Sequence, residues 1–183
     1  MIKGQDFGEA LESDHATFIS TPFDGVFGLA FPELAKPGTI NPLQRLCTDK
    51  QLKQCLFSVW LMRDSFELGG ELHLGEVDSR MFVGELHWVP VSNRPYWQVD
   101  LERVWFEGQE DLAVNVQGLL DTGSSIISVP PSHIKQVDQI LGVTEYINGY
   151  GLLDCRNVKG LPRLNIQMGG KVSVHVVTIG VFD

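Results

Sequence analysis

The stretch Gly118-Leu119-Leu120-Asp121-Thr122-Gly123-Ser124-Ser125-Ile126-Ile127-Ser128-Val129-Pro130 sets a single carboxyl group between two apolar runs. Such a pattern predicts a buried strand that turns sharply and presents Asp121 at the bend. Gly123 would let another backbone approach closely. Thr122 and Ser124 would place hydroxyl donors near the carboxylate, and a carboxylate held by several donors stays ionised at low pH. The chemistry open to such a group is proton transfer. The same residue types are also ordinary turn formers, since Asp and Gly both favour turns. Ser124 and Ser125 have no Gly-x-Ser-x-Gly elbow around them, which argues against a serine nucleophile.

The other reactive residue types are dispersed. Cys47, Cys55 and Cys155 form no Cys-x-x-Cys pair, and no His/Cys cluster has zinc spacing. No metal and no other cofactor is expected. An odd count leaves at least one thiol without a partner in the chain, and the pairing is open. His73 and His87 fall on the polar phase of alternating segments and are expected at the surface or in cross-strand pairs. Trp60, Trp88, Trp97 and Trp105 are expected to pack between sheets, with a cleft role also open to Trp97. Lys and Arg are scattered, and the net charge is −9. That balance argues against a nucleic-acid partner. No run is long and apolar enough for a spanning helix, so no membrane partner is expected.

The elements that must hold Asp121 read mostly as strands. Phe57–Met62 is a compact apolar run, while Glu71–Leu74, Glu85–Val89, Trp97–Glu102 and Leu164–Met168 alternate polar and apolar residues. Period-two alternation predicts half-buried antiparallel strands. Gly169-Gly170 reads as a two-residue hairpin turn. Two short helices are expected. Asn41 caps one, with Pro42 at its first position and Leu43, Leu46 and Cys47 on one face. Ser132 caps the other, with Ile134, Val137, Ile140 and Leu141 on one face and Gly142 as its stop. The fold class is mostly β, an antiparallel sandwich or distorted barrel with two short helices, and no internal boundary is expected.

Asp121-Thr122-Gly123-Ser124-Ser125 resembles the active-site signature of the pepsin-like aspartic proteases. Thr21–Pro32, Leu56–Leu61, Gly69–Asp78, Leu86–Val91 and Tyr96–Val99 are similar to segments of that family in the same order. The resemblance implies that residues 1–20 are strands of the connection between two lobes. It makes 21–183 the C-terminal lobe, incomplete at its C-terminus. Each lobe of such an enzyme gives one Asp-Thr-Gly, so Asp121 would be the catalytic aspartate of this lobe. Thr122 would bond across to the partner loop, Ser124 would orient the outer oxygen of Asp121, and Tyr96 and Leu119 would line the substrate cleft. The implied reaction is hydrolysis of peptide or protein substrates by water held between two carboxylates that share a proton. The implied location is secreted, lysosomal or another acidic vesicle.

Asp-Thr-Gly occurs once in this chain, and nothing resembles the family's flap hairpin. The chain is therefore expected to need the N-terminal lobe, or a second copy with its own Asp121, and to be inactive alone. The alternative is a non-catalytic relative that binds peptide or protein in the cleft. The face that meets the other lobe is expected to be apolar and uncovered. Cys155 is expected to lack its usual partner. Met1–Phe7 has no apolar signal-peptide core, so no targeting signal is expected.

Overall fold

The computed structural model describes residues 2–5, 7, 25–62, 69–124, 126–147 and 150–175. Most of the 1–20 segment, Thr21–Asp24, Ser125 and everything after His175 lie outside the described residues. The chain divides into two compact units, Met1–His87 and Trp88–Asp183.

In the first unit, α1 (Pro42–Thr48) starts where the sequence places it. Asn41 Oδ1 accepts from Gln44 N–H at 2.8 Å, and Pro42 sits where its missing N–H costs nothing. Strands β1 (Phe57–Leu61) and β2 (Gly70–Leu74) pair antiparallel, from Phe57 opposite Leu74 to Leu61 opposite Gly70. A disulfide joins Cys47 in α1 to Cys55, just before β1. That settles the pairing and leaves Cys155 an exposed free thiol. His73 in β2 meets Glu71 at 2.8 Å on the same strand.

In the second unit, β3 (Gln98–Phe106), β4 (Asp111–Leu119), β7 (Leu164–Met168) and β8 (Lys171–His175) form an antiparallel sheet of order β4-β3-β7-β8. Gly169 and Gly170 turn β7 into β8 with φ of +56° and +75°. Two successive left-handed residues are what a mirror-image hairpin turn requires. A small hairpin, β5 (Glu145–Ile147) and β6 (Tyr150–Leu152), pairs separately. Helix α2 (Pro131–Leu141) lays Val137, Ile140 and Leu141 on the buried cluster Phe106, Leu112 and Leu164. Gly142 ends it in the left-handed conformation, its N–H on Asp138 O.

Three expectations are corrected. The second helix starts at Pro131 with Pro130 as its cap and no side-chain cap bond, so Ser132 lies inside the first turn. The fixed φ of proline already suits that position. Glu85–Val89 alternates but joins no ladder among the described residues. Alternation makes a segment two-faced, and a strand also needs a neighbour's free edge. Trp88, in that segment, is 72% exposed rather than packed. The architecture is mostly β and antiparallel, with two α-helices among the described residues. None of those helices is long and apolar enough to cross a membrane.

Candidate active site

The β3–β4 hairpin gathers the predicted site residues at one end. Gln98 pairs with Leu119, and Leu120 N–H donates to Trp97 O at 3.0 Å. The Asp121 loop therefore leaves β4 beside the turn Arg94–Trp97 that carries Tyr96. Ser92 N–H pins the chain before that turn by donating to Gln98 O at 2.8 Å. Tyr96, Leu119 and Asp121–Ser124 are all exposed. So are Leu120, Ile126 and Ile127, which corrects the expectation of a buried strand end.

Asp121 opens a tight turn held by its own side chain. Gly123 N–H donates to Asp121 Oδ1 at 2.8 Å, and Ser124 N–H donates to the Asp121 carbonyl at 3.2 Å. A Cβ at position 123 would stand 3.1 Å from the same Oδ1. A side chain there would crowd the carboxylate. The Ser124 hydroxyl donates to Ile126 O at 2.9 Å rather than to the carboxylate. The Thr122 hydroxyl bonds nothing among the described residues. The expected hydroxyl donors are thus replaced by a backbone donor, because an Asp turn folds the side chain onto the N–H two residues on.

Two other turns use the same device with one difference. Asp78 accepts from Arg80 N–H at 2.9 Å, and Asp154 accepts from Arg156 N–H at 3.0 Å. In each, the guanidinium of the same Arg also grips the carboxylate, with Nε at 3.0 Å in the first and 2.9 Å in the second. The Arg80 side chain, helped by its backbone N–H, holds Asp78 down at about 2. Arg156 lowers Asp154 in the same way. At Asp121 the residue two on is Gly123, and among the described residues no cation lies within ion-pair distance. Asp121 therefore has one oxygen fixed, the other open and no counter-charge. A carboxylate in that state can accept and return a proton, whereas an ion pair resists protonation. The Asp-x-Arg turns were missed in the sequence, where their spacing is the available signal.

Among the described residues, no cluster of three or more His, Cys, Asp or Glu could hold a metal ion. Among the described residues of the Trp88–Asp183 unit, one open depression lies at Gln109 and Gln136 and another at Glu102 and Asn115. Neither includes Asp121.

The model of the eukaryotic aspartyl protease family matches residues 1–179. The chain belongs to that family. It is similar to cathepsin D of Clupea harengus, 32% identical over 173 residues, which cover 93% of this chain and 44% of the relative. It is also similar to cathepsin E-B of Xenopus laevis, 33% identical over 93% of this chain and 43% of the relative. Gastricsin of Cavia porcellus is 32% identical over 92% of this chain and 43% of its own length. The chain thus spans less than half the length of these relatives. Its antiparallel, mostly β architecture is that of a pepsin-like aspartyl protease lobe.

Proposed function

We propose that this chain supplies one half of an acid endopeptidase, with Asp121 as the C-terminal-lobe aspartate of a two-carboxylate site. The observation that carries the reading is the Asp121 turn: a carboxylate without a counter-cation among the described residues, fixed through one oxygen by Gly123 N–H at 2.8 Å. Two carboxylates at close range do not both ionise easily, so they share a proton. The ionised member takes a proton from a water between them. The neutral member donates to the carbonyl oxygen of the peptide. The titration of such a site belongs to the pair rather than to either residue. No metal or cofactor enters this scheme.

On this reading the exposed Thr122 hydroxyl bonds across to a second Asp-Thr-Gly loop, and Ser124 stiffens the exit of its own loop through Ile126. Tyr96 and Leu119, at the same hairpin end, offer apolar surface to substrate side chains. A single Asp-Thr-Gly makes the isolated chain inactive on this reading. Exposed Leu119, Leu120, Ile126 and Ile127 favour a covering partner, first the N-terminal lobe. The same exposed side chains favour a second reading, in which two copies bring their Asp121 residues together. Secretion or delivery to an acidic vesicle is part of the proposal, and the Cys47–Cys55 disulfide supports an oxidising route.

The test is cleavage of a denatured protein at about pH 3–5. The chain is assayed alone and mixed with a separately expressed N-terminal lobe that carries its own Asp-Thr-Gly. The reading expects no cleavage alone and statine-sensitive cleavage by the mixture. Activity of the chain alone that rises with its concentration would favour the two-copy reading. Peptide binding without turnover in every arm would sink the catalytic reading.

A further inference from the structure

The ladder between β3 and β4 is irregular at two places: its register shifts between Val104 and Trp105, and a step nearer Asp121 is skipped without a shift. Pairing runs from Gln98↔Leu119 to Leu101↔Val116 and resumes at Arg103↔Val114 in the same register, so the Glu102–Asn115 step is left unpaired. Asn115 has a φ of +50°, left-handed in the middle of a strand. Such a residue turns the chain out of the pleat. Among residues with a side chain, Asn and Asp tolerate it best. The Asn115 side chain is exposed, so what the position contributes is its backbone conformation.

Across the gap, Glu102 is anchored elsewhere. Its carboxylate accepts from Gly170 N–H at 2.8 Å and from Gln167 Nε2 at 2.6 Å. It therefore ties β3 to the β7–β8 turn. The skipped step divides two unlike regions. On one side, Arg103–Trp105 are paired with both β4 and β7, and Phe106 with β7. On the other, Gln98–Leu101 pair with β4 alone among the described strands. Asp121 thus rides on a two-stranded arm that leaves the four-stranded sheet at Glu102 and Asn115. A two-stranded ribbon is weakly stable by itself and twists freely. Its direction needs a fixed root.

We infer that Asn115 and Glu102 form the joint that sets the direction of this arm, which makes Asn115 a positioning residue for Asp121. The inference rests on the reading of Asp121 as the chemical carboxylate, but the joint can be tested without turnover. Asn115→Gly keeps a left-handed backbone accessible, while Asn115→Ala and Asn115→Val oppose it. Amide exchange on the full chain compares Leu120 and Gly123, both hydrogen-bonded at the arm's end, with Arg103–Phe106 in the sheet. The Ala variant is expected to lose about tenfold protection at Leu120 and Gly123. Its sheet amides stay at wild-type protection. The Gly variant is expected within about threefold of wild type throughout.

Wild-type protection of the arm in the Ala variant would overturn the joint. So would an equal loss in the Gly variant, which would assign the effect to the Asn side chain. Equal loss in arm and sheet would overturn it too, as general weakening. If the Val variant fails to fold, the Ala and Gly variants still decide. Should exchange behave as expected while the complemented chain cleaves nothing, the proposed function fails and the joint stands.

Discussion

Among the described residues, three aspartates open the same turn, and the residue two positions on decides whether each carboxylate is ion-paired. At Asp78 and Asp154 that residue is Arg, and the carboxylate is closed into an ion pair within three residues of chain. At Asp121 it is Gly, and the same backbone bond forms with no cation within ion-pair distance among the described residues. The first two turns use the carboxylate to start a short 3-10 helix, with Asp at the N-cap of Ser79–Met81 and of Cys155–Gly160. The third leaves it exposed beside Tyr96 and Leu119. The neighbour, not the turn, thus decides whether the carboxylate is paired or left without a cation.

The largest expected effect falls on the scaffold that carries both Asp121 and Asp154. Phe106 is 4% exposed and packs with Leu112 and Leu164 under α2. Phe106→Ala should cost about 3–5 kcal/mol in urea unfolding. A change below about 1 kcal/mol would show that this cluster does not hold the sheet. Next, Gly123→Arg gives the Asp121 turn the neighbour of the other two. Cleavage by the complemented chain should fall about a hundredfold below that of Gly123→Ala, because a guanidinium opposes protonation. Gly123→Ala shares the crowding of a Cβ at 3.1 Å from Oδ1, so equal losses would make the counter-cation irrelevant.

Replacing Cys47 and Cys55 by Ser should cost about 2–3 kcal/mol on the loop-entropy account. Thermal unfolding with and without reductant measures it, and a reductant-insensitive wild type would show that the bond does not form. The smallest effect is at Asp78. Its folded value of about 2 lies below the ordinary 3.8, so the turn's contribution is complete above about 3.8 and is lost as pH falls through about 2. Arg80→Gln should raise the carboxyl midpoint seen by NMR back toward 3.8. The Arg80 side chain is exposed, so global stability should move little. An unchanged midpoint would mean that Arg80 does not hold the carboxylate.

Features set by one or two adjacent residues were legible in the sequence. The Asn41 cap, the Gly142 stop, the Gly169-Gly170 turn and the strand at Leu164–Met168 all depend on short-range geometry, and all occur, although Leu164 and Asn165 are both buried where the sequence alternates. The Asp121 loop was legible through its residue types. What failed needed information from elsewhere in the chain. Glu85–Val89 alternates, but alternation does not supply a partner edge. Ser132 is a good cap, yet Pro130-Pro131 starts the helix first. The hydroxyls of Thr122 and Ser124 were expected on the carboxylate, but the Gly123 amide holds it instead. Three cysteines allow three pairings, so Cys47–Cys55 could not be chosen from spacing. The left-handed Asn115 had no local signal beyond the residue's own tolerance for that conformation.

The account is tested most directly by substituting each of the three turn aspartates with Asn and measuring acid-pH cleavage after mixing with the N-terminal lobe. Asp121→Asn should lower the rate by about 10²–10⁴-fold, while Asp78→Asn and Asp154→Asn should stay within about twofold of wild type. A wild-type rate in Asp121→Asn, or an equal loss in Asp154→Asn, would contradict it.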